Sequence, residues 1–126
     1  MEKMLRLAEG EYRFATIVWE NEPLPSGQLV RLAADALGWK KSTTYTVLKK
    51  LCERGILQND GGVVTSLVKQ SAVQQQESTA VVDRTFGGSL PRFVAAFLNE
   101  KPITSAEAAE IRAMLDAART EQEDEP

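Results

Sequence analysis

A chain of 126 residues with 43% hydrophobic and 26% charged side chains is long enough for one folded domain or one small domain with an appendage, and no apolar run reaches the roughly 18 residues of a membrane span. With no histidine, one cysteine (Cys52) and no glycine-rich phosphate loop, it lacks the commonest general base, any intrachain disulfide and any cysteine cluster for a metal, so an enzyme, a metal site or a cofactor is the last thing to expect. The net charge of −3 is unevenly spread: residues 40–54 hold five Lys/Arg against one Asp/Glu, whereas residues 71–126 hold five against ten.

Residues 1–7 show little pattern, and the acidic N-terminal stretch has no signal-like apolar segment, so a cytoplasmic protein is expected. Glu9 to Glu20 reads as a first helix with Phe14, Ile17 and Val18 on one face. Pro23 and Pro25 stop it, because proline lacks an amide donor and pushes its predecessor to extended backbone. Ser26 is the expected N-cap of a second helix, with the apolar stripe Leu29, Leu32, Ala33, Ala36 and Leu37 and with Gly38 at its end. A short turn containing Trp39 leads to a third helix, from about Ser42 to Arg54.

That third helix has two faces. Thr44, Val47, Leu48 and Leu51 recur at i, i+3, i+4 and i+7 and form the inner stripe. Thr43, Thr46, Lys49 and Lys50 form the outer one, with hydroxyls at the front and ammonium groups at the back. Small polar groups plus cations suit the DNA major groove; the same composition also suits a solvated surface. Two helices with a tight turn between them are the helix-turn-helix order. After Gly55 the period changes to two short strands, 56–59 and 63–68, around Asp60-Gly61-Gly62, which predicts a hairpin. Three helices and a hairpin make a winged helix, although any small α+β domain can end on a hairpin.

From Ser71 the chain reads as three amphipathic helices. The first, 71–86, has few large apolar residues, and the glutamines 74–76 read as a solvated face. Gly87-Gly88 ends it, and Ser89 caps the next, with Pro91 in its first turn and Phe93, Val94, Phe97 and Leu98 in a stripe. Thr104 and Glu107 form a capping box for the last helix, which carries Ile111, Met114 and Leu115. About 50 thinly apolar residues make a poor separate domain, and two copies packed together would solve the burial problem, as would folding back on the winged helix in a monomer. The acidic tail 121–126 is expected to be disordered.

The whole chain resembles the penicillinase and methicillin-resistance repressors, the BlaI/MecI family of transcription regulators. The residues that carry the resemblance are Glu11 with Val18-Trp19-Glu20, the stretch Trp39 to Gly55 with Thr43-x-x-Thr46, Leu48-x-x-Leu51 and Arg54-Gly55, then Gly87-Gly88-Ser89 and Ile103-Thr104-x-x-Glu107. The resemblance implies a homodimer that occupies a palindromic DNA operator and blocks transcription, with Ser42, Thr43, Thr46 and Lys50 against the DNA. It also implies release by cleavage under the control of a membrane sensor-protease. The family's Asn-Phe junction is matched here by Ala96-Phe97, the paired Cys-x-Cys motifs of copper-responsive relatives are absent, and the hairpin 58–66 has no Lys or Arg.

The fold expected is therefore mainly α with a small β-hairpin: a winged helix-turn-helix over 1–70 and a helical dimerisation arm over 71–120. The expected DNA contacts are Lys40, Lys41, Ser42, Thr43, Thr46, Lys49 and Lys50. The expected dimer contacts are Val81, Phe86, Leu90, Phe93, Val94, Phe97, Leu98, Ile111 and Leu115. A winged helix that meets another protein instead of DNA is the alternative, favoured by the acidic second half and the wing without cations.

Overall fold

The computed structural model describes residues 5–119, so the acidic tail lies outside the described residues. These residues form two compact units that divide between Val81 and Val82. The first holds α1 (Glu9–Asn21), β1 (Leu24–Pro25), α2 (Ser26–Leu37), α3 (Lys41–Glu53), β2 (Leu57–Asp60), β3 (Val63–Ser66) and the first turns of α4 (Gln70–Phe86). The second holds the end of α4, then α5 (Leu90–Glu100) and α6 (Ser105–Ala118). The architecture is mainly helical, with a winged helix first and a helical region after it.

The winged helix closes around one core. Phe14, Ile17 and Val18 of α1, Leu29 and Ala33 of α2, and Leu48 and Leu51 of α3 meet Ile56, Leu57 and Val64 from the hairpin. Trp39 in the turn before α3 stacks on Phe14 with ring centroids 5.3 Å apart, which ties the turn to α1. Gly38 ends α2 in the left-handed region at φ 71, where a side chain would be strained. The hairpin turns at Gly61 and Gly62, both at positive φ, and Asn59 Oδ1 accepts the Gly62 amide at 3.0 Å.

Several expectations need correction. The two prolines do more than stop α1: Leu24–Pro25 is a strand that pairs antiparallel with β3, Leu24 opposite Val64, which gives the strand order β1-β3-β2. A two-residue strand is too short to leave a periodic signal. Ser26 is the first residue of α2 rather than its N-cap, which is Pro25; the Ser26 amide donates to Gly62 O and its hydroxyl accepts from Tyr45. Ala36 is exposed rather than part of the inner stripe of α2. The strands occupy 57–60 and 63–66, shorter than expected on the far side, because Leu67 and Val68 turn back to donate to Ile56 O. Leu7, in a stretch without pattern, is buried in the core.

The start of α4 also belongs to the winged helix. Val73 is 3% exposed and completes its core. The glutamines are not simply solvated, since Gln74 donates to the Tyr12 hydroxyl and Gln76 Oε1 is shielded from solvent.

The second unit is built from well-capped helices with no core of its own. Ser89 accepts the Arg92 amide at 3.2 Å at the start of α5, and Thr104 and Glu107 exchange hydrogen bonds of 3.1 Å across the start of α6. Gly87 and Gly88, both at positive φ, separate α4 from α5. Phe86, Phe93 and Phe97 form a short aromatic ladder with centroid spacings of 5.5 and 6.4 Å. Yet among the described residues 82–119 none is buried. Leu90, Val94, Phe97, Leu98, Ile111, Met114 and Leu115 are all exposed.

Candidate nucleic-acid interface

The orientation of α3 follows from what it buries. Thr44, Leu48 and Leu51 are sealed in the core, and Val47 is half-buried. That fixes the rotation of the helix and turns Ser42, Thr43, Thr46, Lys49 and Lys50 outward, all of them exposed. Lys40 is the N-cap and Lys41 the first helical residue, both exposed. The seven residues expected to meet DNA thus share one helix and the turn before it. The geometry says which way they face; it does not by itself identify what they meet.

The N-terminus of α3 is unusual electrostatically. It has no acidic residue in its first turn and no capping side chain, and two lysines stand there instead. A helix N-terminus carries partial positive charge from unpaired amides, so each added cation costs about 0.3–1 kcal/mol. An anion placed there would relieve the amides and both ammonium groups together.

At the other end, Lys50 is already engaged. Its ammonium lies 3.7 Å from Glu11 Oε2, with 63% of the Lys50 side chain exposed. A pair this open is weak and leaves the lysine able to exchange partners. Glu11 holds Arg54 more closely, at 3.2 Å, and also accepts the Ala8 amide at 2.9 Å. Arg54 donates in addition to Arg6 O, so it ties the segment before α1 to the end of α3.

Thr46 donates its hydroxyl to Ser42 O at 2.9 Å. The proton is spent within the helix, and the outward groups are the methyl and the oxygen lone pairs. Tyr45, which the sequence reading passed over, is exposed, and its hydroxyl reaches Ser26 Oγ at 3.2 Å. The signal was present, since Tyr45 stands three residues after Ser42 and four before Lys49. Glu53 is exposed seven residues after Thr46 and gives the outer face an acidic end. The wing carries Asp60 at its tip and no cation.

Cys52 is half-buried. Burial pushes its thiol up, and Glu53 adds to the rise against the opposing effect of the Asn59 backbone. Among the described residues no group of three or more His, Cys, Asp or Glu could hold a metal, and no helix is long and apolar enough to cross a membrane.

Nearly the whole chain is similar to known proteins. The family model described as penicillinase repressor matches residues 7–117, which takes in both units. The chain is also 21% identical to a penicillinase repressor of Bacillus licheniformis over 120 residues, 92% of this chain and 94% of that one. The match extends from Leu7, through the whole of α3, to the last turn of α6. The chain belongs to the penicillinase repressor family and is a transcriptional repressor of the winged-helix kind.

Proposed function

We propose that this repressor acts as a homodimer and occupies a palindromic operator in double-stranded DNA, one α3 in each half-site. The observation that carries the reading is the charge at the start of α3: two lysines, bare amides and no acid. Backbone phosphate is the ligand that this arrangement suits. Lys40, Lys41, Lys49 and Lys50 supply affinity without regard to sequence, and Ser42, Thr43 and Thr46 reach base edges or thymine methyls. The cytoplasm is where such an operator lies.

The dimer rests on the second unit. Helices α5 and α6 leave Leu90, Val94, Phe97, Leu98, Ile111 and Leu115 exposed, and Val81, Phe86 and Phe93 are half-buried. A unit of this size without a buried residue gains stability by pairing with its copy. The division of work follows the two units: the winged helix with the first turns of α4, Val73 in its core, serves DNA, and the part from Val82 onward serves dimerisation. Release by a membrane sensor-protease would act at Ala96-Phe97, both exposed within α5, and that turn must unwind before a protease can hold it in extended form.

Retention on duplex DNA taken from upstream of the repressor's own gene tests the reading. Affinity should fall linearly in log-log form with salt, and Lys40→Ala with Lys41→Ala should flatten the slope by about 2 per protomer. A salt-independent interaction would instead support the protein-binding alternative, which the wing without cations favours.

A further inference from the structure

Lys50 and Arg54 stand one turn apart on one flank of α3, and both reach across to Glu11 on α1. The two holds differ. Arg54 Nη1 lies 3.2 Å from Glu11 Oε1, and the Ala8 amide donates to the same oxygen at 2.9 Å. Lys50 Nζ lies 3.7 Å from Oε2, and its side chain is far more exposed than that of Arg54. Glu11 itself is only 15% exposed. Arg54 and the Ala8 amide therefore keep the carboxylate in place whether or not Lys50 stays beside it. Lys50 can leave; the negative charge cannot. Thr43, seven residues before Lys50, lies on the same flank of α3, and both are exposed. All of these residues belong to the first unit.

We propose that Glu11 is a positioning residue for DNA binding: its carboxylate holds Lys50 toward α1, so that a backbone phosphate must compete with it for that ammonium. The proposal rests on the reading of α3 as the DNA-facing helix and is independent of the dimer. Phosphate wins the exchange only by offering Lys50 more than an open ion pair does, and Glu11 stays behind to oppose it. One acid on α1, away from the outer face of α3, thus lowers the affinity for every duplex alike.

The test is fluorescence anisotropy of the full-length repressor on a labelled duplex of arbitrary sequence, because a phosphate contact does not depend on sequence. Glu11→Gln keeps the shape and removes the charge. It should raise affinity about two- to fivefold for each α3 engaged, the range that an open ion pair can supply. The gain should shrink as salt screens the pair, and in a Lys50→Ala background it should fall to less than half. Damage to the fold has the opposite sign, since a loosened α1 would weaken binding. A Glu11→Gln protein that binds no better than the parent overturns the proposal, and so does an equal gain with and without Lys50. If Glu11→Gln does not fold, the carboxyl carbon resonance of Glu11 in the parent decides. Adding duplex should shift it in the direction that Lys50→Ala does, and no shift overturns the proposal. A parent that ignores the duplex in dilute buffer overturns the DNA reading, and the proposal with it.

Discussion

Thr44 and Thr46 stand two residues apart on α3 with opposite roles. Thr44 is fully enclosed, and its hydroxyl has no hydrogen-bond partner among the described residues. Burying an unpaired hydroxyl costs on the order of 1–3 kcal/mol, so Thr44→Val should raise stability by about 1 kcal/mol in urea denaturation. Thr46 faces outward and offers its methyl and lone pairs. Thr46→Ala should loosen discrimination at one base pair by about 1–3 kcal/mol, while Lys50→Ala should weaken matched and mismatched duplexes alike. Competition gel shifts on both duplexes separate the two effects; a Thr46→Ala protein indistinguishable from the parent on each would remove the base-reading role. Glu22 is the residue with a pH signature. Burial alone would raise its pKa, but the Ser66 amide and hydroxyl and the charge of Lys69 outweigh it and hold the carboxyl below its ordinary 4.5. A depressed carboxylate stabilises the fold above its unfolded value, and that contribution is lost as pH falls through the lower, folded one. Glu22→Gln should therefore cost about 1 kcal/mol at pH 7, and the gap from the parent should close in melting experiments as pH falls through the carboxyl's lowered, folded value.

Among the elements, α3 was the most legible in sequence, because its inner and outer faces follow directly from the helical period. The capping box at Thr104 and Glu107, the Ser89 cap and Gly38 were legible for a similar reason: each is a local hydrogen bond or backbone demand written within four residues. What sequence did not carry was long-range. The pairing of Leu24 with Val64, the burial of Leu7 and the reach of Gln70 and Gln74 to Tyr12 join residues 40 or more positions apart, or depend on a neighbour that no period announces. The outward placement of Ser42, Thr43, Thr46, Lys49 and Lys50 follows from the helical face they share, and the exposure of Tyr45 and Glu53 follows from the same period. At α5 the apolar stripe was plain, and its exposure in a single chain is the feature that calls for a partner. Phe97 is 49% exposed, so a charge there leaves the protomer's own packing nearly intact. Phe97→Asp should raise the dimer dissociation constant at least about 100-fold, because it places a carboxylate in a desolvated interface. Sedimentation equilibrium of both proteins measures this directly.

At the scale of the whole molecule the two units differ in what they bury. The winged helix is stable by its own core and presents one polar, lysine-flanked helix. The helical region has no buried residue among those described and holds the surplus of negative charge. A net charge of −3 is no obstacle to DNA binding, since the local field at residues 40–54 is what meets phosphate. A single winged helix whose wing carries no cation would make few phosphate contacts, so in the proposed reading affinity depends on engaging two half-sites at once. The central claim is therefore a stoichiometry. Sedimentation velocity of the repressor with a short duplex from upstream of its own gene, in dilute and in moderate salt, measures it most directly. The account predicts two protomers on each duplex at low salt, released together as salt rises. A monomer that ignores the duplex even in dilute buffer would contradict it.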